Sequence, residues 1–87
     1  MEKLKPIKYS LGLDQWHVFI EFRAENSWAL TCMGDCMDKN GEFNDEPSPS
    51  NRTEDFIQNH RFKTPEDAYN CFKEKSKLII NGHKISI

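Results

Sequence analysis

The most regular pattern in the sequence is an alternation of apolar and polar side chains between residues 9 and 24. A period of two is typical of a β-strand, because successive side chains point to opposite faces of a sheet. We expect one face to meet the core; it carries Trp16, Val18, Ile20, Phe22 and Ala24. The other face carries Phe19 among polar neighbours.

A second alternating run follows the turn at Glu25, Asn26 and Ser27, and it predicts a hairpin with the first strand. This second strand contains Trp28, Leu30 and Cys32 on one face. The dipeptide Asn40-Gly41 is a strong hairpin signal, because both positions tolerate positive φ. We therefore expect the second strand to run on and to fold back briefly through Phe43.

A helix is predicted over residues 65–79. Thr64 is a suitable N-cap, Pro65 suits the first helical position, and Asn81-Gly82 provides a stop signal. Short strands are expected at 60–63 and 83–87. The predicted fold class is α+β, with a mainly antiparallel three- to five-stranded sheet. One principal helix packs on one face of that sheet, in the order β-β-β-α-β.

The chain of 87 residues has room for one domain. Residues 1–8 are expected to form a frayed leader. Residues 44–58 are expected to form a long acidic loop stiffened by Pro47 and Pro49, in which Thr53 caps a short helical turn at 54–58.

Composition favours a cytoplasmic protein. No apolar run approaches the roughly 20 residues that cross a bilayer, and no hydrophobic segment follows the N-terminal lysines as in a signal peptide. The three cysteines, Cys32, Cys36 and Cys71, are an odd number and are expected to be free thiols.

The formal net charge of −2 conceals an uneven distribution along the chain. Residues 35–55 hold seven acids and two bases, whereas residues 56–87 hold six bases and three acids. The protein therefore has an acidic segment and a basic C-terminal unit, and such a polarity can orient a protein on a charged partner.

Catalysis and metal binding are not expected. No cysteine and histidine have the spacing of a nucleophile and its base, and the paired acids lie in a loop or at helix starts. A zinc site would need a knuckle, usually Cys-x2-Cys, whereas Cys32 and Cys36 are separated by three residues. We expect no cofactor, and a small zinc-binding domain is the third-ranked interpretation.

Residues between 41 and 68 form a pattern of glycine, acidic, proline, arginine and aromatic positions. It consists of Gly41-Glu42-Phe43, Glu46-Pro47-Ser48-Pro49-Ser50, Arg52, Phe56, Arg61-Phe62 and Thr64-Pro65-Glu66-Asp67-Ala68. This string resembles a pattern in uncharacterised small proteins encoded by bacteriophages and prophages, which more often have Trp at position 43 and Ser at position 51. The resemblance implies a phage accessory protein and transfers no catalytic residue.

The first functional hypothesis is a non-enzymatic protein that docks on a host or phage protein and modulates or inhibits it. The candidate contacts are Phe19, Phe43, Asp45, Glu46, Arg52, Glu54 and Asp55. Phe19 is available as an aromatic anchor unless residues 44–58 fold over its face and bury it.

The alternative hypothesis is a nucleic-acid-binding module that uses the sheet and a basic surface. Its candidate contacts with phosphates are Arg61, Lys63, Lys73, Lys77 and Lys84. Either a monomer or a homodimer is compatible with the sequence, and no membrane contact is expected.

Overall fold

The alternating segment forms the first two strands of a five-stranded antiparallel sheet in which the strands lie side by side in chain order. A computed structural model describes residues 6–87. The strands are β1 (Lys8–Ser10), β2 (Val18–Ala24), β3 (Ser27–Cys32), β4 (Asp35–Met37) and β5 (Phe43–Asp45). The predicted α+β class and antiparallel sheet are confirmed.

Two helices follow the sheet, and each begins at a threonine that caps it. Helix α1 spans Glu54–His60, and the Thr53 hydroxyl accepts a hydrogen bond from the amide of Phe56 at 3.1 Å. Helix α2 spans Pro65–Lys75, and the Thr64 hydroxyl accepts from the amide of Asp67 at 3.1 Å. Both predicted helix starts are therefore confirmed, and each cap satisfies an amide that the first helical turn leaves without a partner.

The core lies between α2 and the sheet face that we call the inner face. Ala68 and Phe72 of α2 are buried there, together with a set of sheet and bridge residues. This set comprises Val18, Ile20, Leu30, Cys32, Met37 and Phe62. Leu78 and Ile85, which follow α2, complete the core. The predicted inward face of β2 is thus confirmed in the first half of the strand, where Val18 and Ile20 are almost fully buried, whereas Ala24 at its end is exposed.

The opposite, outer face of the sheet is half covered by the segment that runs from Glu46 to Arg61 and includes α1. The side-chain amide nitrogen of Asn44 on β5 lies 3.2 Å from Nε2 of His60 in α1. The amide of Lys39 donates to the carbonyl of Asn59 at 2.9 Å. Cys36, which points to this face from β4, is fully buried. The segment expected as a loop over 44–58 is thus a strand end, a 3₁₀ turn at Pro49–Asn51 and a helix.

The main helix ends earlier than predicted, at Lys75 instead of residue 79. The cause is a tertiary contact: the amide of Lys77 donates to the carbonyl of Gly41 at 2.9 Å, so it does not continue the helical ladder. Ser76 then accepts a hydrogen bond from the amide of Leu78 at 3.2 Å, which turns the chain and directs Leu78 into the core.

Asn81-Gly82 is therefore not the helix stop that we predicted. Both residues have positive φ and form the turn between β6 (Ile79–Ile80) and β7 (His83–Lys84). These two strands form a separate sheet, so the predicted last strand over 83–87 is shorter and lies outside the main sheet.

The strand predicted at 60–63 is reduced to a single bridge. Phe62 exchanges two backbone hydrogen bonds with Trp28, at 2.7 and 2.8 Å. Since β4 pairs only with Thr31 and Cys32 of β3, the bridge supplies a partner for the other end of β3.

The second predicted strand is broken at a position where the alternation of side chains continues. Met33 and Gly34 both have positive φ, and they turn β3 back into β4. The expected return through Phe43 is confirmed, with β5 pairing to β4 across the loop that contains Asn40-Gly41. Of the expected frayed leader, residues 1–5 lie outside the described residues, while Lys8 begins β1.

No helix within residues 6–87 is long and apolar enough to cross a bilayer.

Gly41 allows the loop between β4 and β5 to approach the end of α2. It has a φ of +88°, and a Cβ atom at this position would overlap the carbonyl group of Lys75. We expect Gly41→Ala to lower the free energy of unfolding by clearly more than the roughly 1–3 kcal/mol that backbone strain alone costs. Urea denaturation followed by circular dichroism measures the change.

The matched control is Gly34→Ala. Gly34 has a φ of +90°, but a Cβ atom added to it would meet no other atom within 4 Å, so this variant carries the strain without the overlap. Equal losses in the two variants would show that the contact between Gly41 and α2 contributes nothing to stability.

Candidate functional site

The carboxylate of Glu46 binds three arginines on the outer face of the sheet. Arg23 of β2 holds it in a two-point contact, with Nε to Oε2 at 2.9 Å and Nη2 to Oε1 at 2.7 Å. Nη2 of Arg61 lies 2.5 Å from Oε2, and Nη2 of Arg52 lies 3.5 Å from the same oxygen. We call these four residues the arginine cluster. It joins β2, β5, the 3₁₀ segment and the end of α1.

The charge state of Glu46 follows from this geometry. Burial acts to raise its pKa, since only 11% of the side chain is exposed. The hydrogen bond and charge of Arg23 act in the opposite direction, followed by the charges of Arg61 and Arg52. The net effect is a pKa of Glu46 below its ordinary value, so the carboxylate is ionised at neutral pH. The same hydrogen bond raises the pKa of Arg23.

Two of the predicted partner contacts are therefore occupied inside the protein. Glu46 binds the arginines, and Nε of Arg52 also donates to the carbonyl of Pro47 at 2.9 Å. These interactions fix the segment that precedes α1, and they leave neither charged group free on the surface.

The other predicted contacts in this part of the chain are distributed differently. Phe43 is half-buried and packs against the hydrophobic core. Asp45, Glu54 and Asp55 are exposed, and the last two lie in the first turn of α1, where acids suit the helix dipole. The structure does not gather these residues into one surface with Phe19.

Phe19 lines a cavity of about 380 Å³ on the uncovered half of the outer face, which we call the outer cleft. The ammonium group of Lys8 lies 4.2 Å from the centre of the Phe19 ring. Glu21 accepts a hydrogen bond from the Thr31 hydroxyl at 2.5 Å, and Arg23 closes the side next to the arginine cluster. Phe19 is thus neither buried by α1 nor fully exposed.

A second surface, formed by apolar side chains, lies on the inner face beside the turn of the β2–β3 hairpin. We call it the aromatic patch; it consists of Ile7, Tyr9, Phe22 and Trp28. The rings of Tyr9 and Phe22 lie 5.6 and 5.4 Å from the ring of Trp28, the second in an edge-to-face arrangement. Ile7 is 68% exposed, Phe22 43% and Tyr9 38%.

A second cavity, of about 280 Å³, adjoins this patch at Tyr9. We call it the apolar groove. It lies between β1 and the start of α2, and its lining includes Leu11, Ile20, Pro65 and Tyr69. Glu66 stands at the same cavity, and its side chain is exposed.

The sequence interpretation placed Phe22 in the core because it continues the alternation of Val18 and Ile20 on one strand face. An eleven-residue helix is about 16 Å long, whereas the seven residues of β2 extend over about 23 Å. Even a helix aligned with the strand cannot cover all of it. The sequence did contain one signal of this exposure. Phe22 and Trp28 pair with each other next to the hairpin turn, where both strands reach the edge of the core.

The basic residues of the alternative hypothesis lie in different environments. Arg61 is buried and donates to Glu46 and to the carbonyl of His60. Lys63, Lys73, Lys77 and Lys84 are exposed. Of these, Lys73 lies over the ring of Tyr69 at 4.7 Å, and Lys77 lies 3.5 Å from Glu42.

The three cysteines occupy separate environments. Cys32 points to the inner face, Cys36 to the outer face, and Cys71 stands on α2 beside the carbonyl of Lys39. Burial raises the pKa of all three thiols, that of Cys36 to about 11. Within residues 6–87 no group of three potential metal ligands comes together.

Comparisons with known proteins identify no relative: no family model, no curated protein and no solved structure matches the chain.

Replacing Glu46 by glutamine tests the arginine cluster. The variant keeps the volume but leaves Arg23 and Arg61 without their counterion in a half-buried site. We expect the free energy of unfolding to fall by about 3–5 kcal/mol, as when one partner of a buried ion pair is removed. The Glu46 contribution is present above the ordinary carboxyl pKa and is lost as pH falls through the lowered folded value, so the deficit shrinks in acid.

Glu42→Gln is the matched control, because Glu42 forms an exposed pair with Lys77 and we expect a loss below about 1 kcal/mol. Chemical denaturation across a pH series measures both variants. A similar small loss in Glu46→Gln and Glu42→Gln would contradict a structural role for the cluster.

The opposite pH dependence is expected at Asp35, whose register partner across the β4–β5 hairpin is Asp45. Burial and then the hydrogen bond and charge of Asp45 raise the pKa of Asp35. Its favourable contribution is full below the ordinary carboxyl pKa and is lost as pH rises through the folded value. Asp35→Asn should therefore raise the free energy of unfolding at neutral pH, by less than about 1 kcal/mol for this half-buried group. It should also make that free energy depend less on pH above about pH 4. A thermal unfolding series against pH that is steeper in the variant would contradict this assignment.

Proposed function

We propose that the protein is a small non-enzymatic binding domain that docks on another protein through the aromatic patch. The observation that carries this proposal is the exposure of Ile7, Tyr9 and Phe22 around Trp28 on one continuous surface. Exposed apolar side chains that contact one another are costly in water, and such patches mark interaction sites in small proteins.

The composition of the patch suits a protein interface. Tyrosine, tryptophan and phenylalanine are enriched at the centres of interfaces, since each buries a large area with few rotatable bonds. Trp28 is held by two backbone hydrogen bonds to Phe62 and by ring contacts on two sides. The surface is thus pre-organised, which limits the entropy lost on binding.

Several observations favour a protein partner over nucleic acid. The patch carries no arginine or lysine among its own residues, and Arg61 is engaged with Glu46. Contacts to phosphate dominate nucleic-acid affinity, so a surface without basic groups is poorly suited to that partner. The protonated state of the three thiols likewise supports a binding role over nucleophilic catalysis.

The resemblance of residues 41–68 to small phage and prophage proteins suggests which partners to test first. We propose a phage accessory protein whose target is a host-cell or phage protein that it modulates. The target surface should offer apolar side chains at its centre, to match the patch.

Phe22→Ser tests the proposal, because it removes a large exposed ring whose loss leaves the buried core unchanged. The tagged protein is used to capture partners from a bacterial lysate. Each identified partner is then purified, and its affinity is measured by calorimetry. We expect Phe22→Ser to weaken binding at least about tenfold, the effect of losing about 1.4 kcal/mol at an interface hot spot.

Ile57→Ser is the matched control, because Ile57 is also an exposed apolar residue but stands on α1 and lines neither cavity. Its affinity should stay within about twofold of the unmodified protein. Partners that bind both variants equally would refute docking through the patch. Salt-sensitive retention of DNA or RNA in place of protein would instead support the nucleic-acid alternative.

A further inference from the structure

The edge strand β1 presents backbone hydrogen-bonding groups outward. The amide of Phe22 donates to the carbonyl of Ile7 at 2.8 Å, so these two residues form a hydrogen-bonded pair in the antiparallel ladder. Such pairs alternate with non-bonded ones. Lys8, which stands opposite Glu21 in the register, is therefore in a non-bonded position, and its N–H and C=O point away from β2.

These groups of Lys8 meet no other strand in the described part of the chain. β1 is the first strand of the sheet and pairs only with β2, and Lys8 is exposed. An exposed strand edge is a ready template for another extended segment.

The side-chain spaces beside β1 match the period of a strand. The apolar groove adjoins Tyr9 on the inner face, and the outer cleft adjoins Lys8 on the outer face. A segment paired with β1 would place successive side chains alternately toward these two spaces.

The charge of Glu66 indicates which partner side chains suit the inner face. Glu66 stands at the groove, and no ion pair or side-chain hydrogen bond engages its carboxylate within residues 6–87. A basic side chain of a partner, two residues from an apolar one on the same strand face, would meet this carboxylate while the apolar side chain fills the groove.

We propose that the partner binds by strand addition, as a sixth strand antiparallel or parallel to β1. Its segment is extended, with an apolar side chain in the groove and a lysine or arginine beside Glu66. Backbone hydrogen bonds to Lys8 provide affinity, and the two inner side chains provide specificity. This inference rests on the proposed function and assigns the partner a backbone conformation and a side-chain pattern.

The test is a selection from displayed random peptides of about eight residues, a usual strand length, against the full chain. We expect enriched peptides to share an apolar residue and a basic residue two positions apart. The affinities of synthetic copies are then measured by fluorescence anisotropy.

The decisive variant is Lys8→Pro, which removes the outward N–H while leaving the bonds between β1 and β2 in place, as edge strands allow. Lys8→Ala is its control, because it removes the ammonium group and keeps the N–H. We expect Lys8→Pro to weaken peptide binding at least about tenfold and Lys8→Ala less than about threefold. Glu66→Gln should weaken only those peptides that contain the basic residue. Unchanged denaturation midpoints of the variants confirm that they fold.

Strand addition is overturned if no peptide is enriched, or if enriched peptides bind Lys8→Pro as tightly as the unmodified chain. If Lys8→Pro does not fold, amide hydrogen exchange of the unmodified protein decides instead. The amide of Lys8 must then exchange more slowly with the peptide bound than without it. A natural partner that loses affinity for Phe22→Ser but not for Lys8→Pro would keep the proposed function and refute strand addition. A partner insensitive to Phe22→Ser would refute the proposed function.

Discussion

One carboxylate, that of Glu46, binds side chains from three separate parts of the chain. Through Arg23, Arg52 and Arg61 it ties β2, the segment before α1 and the residue after α1 to one point on the outer face. A half-buried acid is stable there because the three guanidinium groups compensate for its lost hydration, and a lone carboxylate in that position would be protonated or expelled. Arg61 is followed directly by Phe62, so this attachment and the bridge to Trp28 anchor adjacent residues to the sheet.

A second constraint determines where the main helix ends. Gly41 approaches the last turn of α2 so closely that it takes the amide of Lys77 and ends the helix. The earlier end of α2 admits Leu78 to the core. The aromatic patch lies at the opposite end of the helix, beside its start at Pro65, so its exposure does not depend on where α2 ends.

Local rules predicted the elements whose determinants are close in sequence. The caps at Thr53 and Thr64 and the alternation around Val18 and Ile20 specify helix starts and a strand by themselves. The helix end, the break at Met33-Gly34 and the role of Glu46 depended on contacts between residues far apart in the chain. A carboxylate in a polar, proline-containing segment looks solvated, and only the fold brings Arg23 and Arg61 to it. The candidate site could be inferred only in part for the same reason: Phe22 has the alternation pattern of a core residue, and only the placement of α2 in the fold shows that it is left exposed.

The segment 41–68 has a different meaning once its side chains are placed. Gly41, Glu46, Arg52, Phe56 and Arg61 all serve internal attachment, Phe56 by stacking on His60 at 4.1 Å. Ile7, Tyr9, Phe22 and Trp28 lie outside that string. A sequence search built on residues 41–68 would therefore recover chains that share these attachments whether or not they share the aromatic patch. Substitutions of the four patch side chains would leave the ion pairs of the arginine cluster in place.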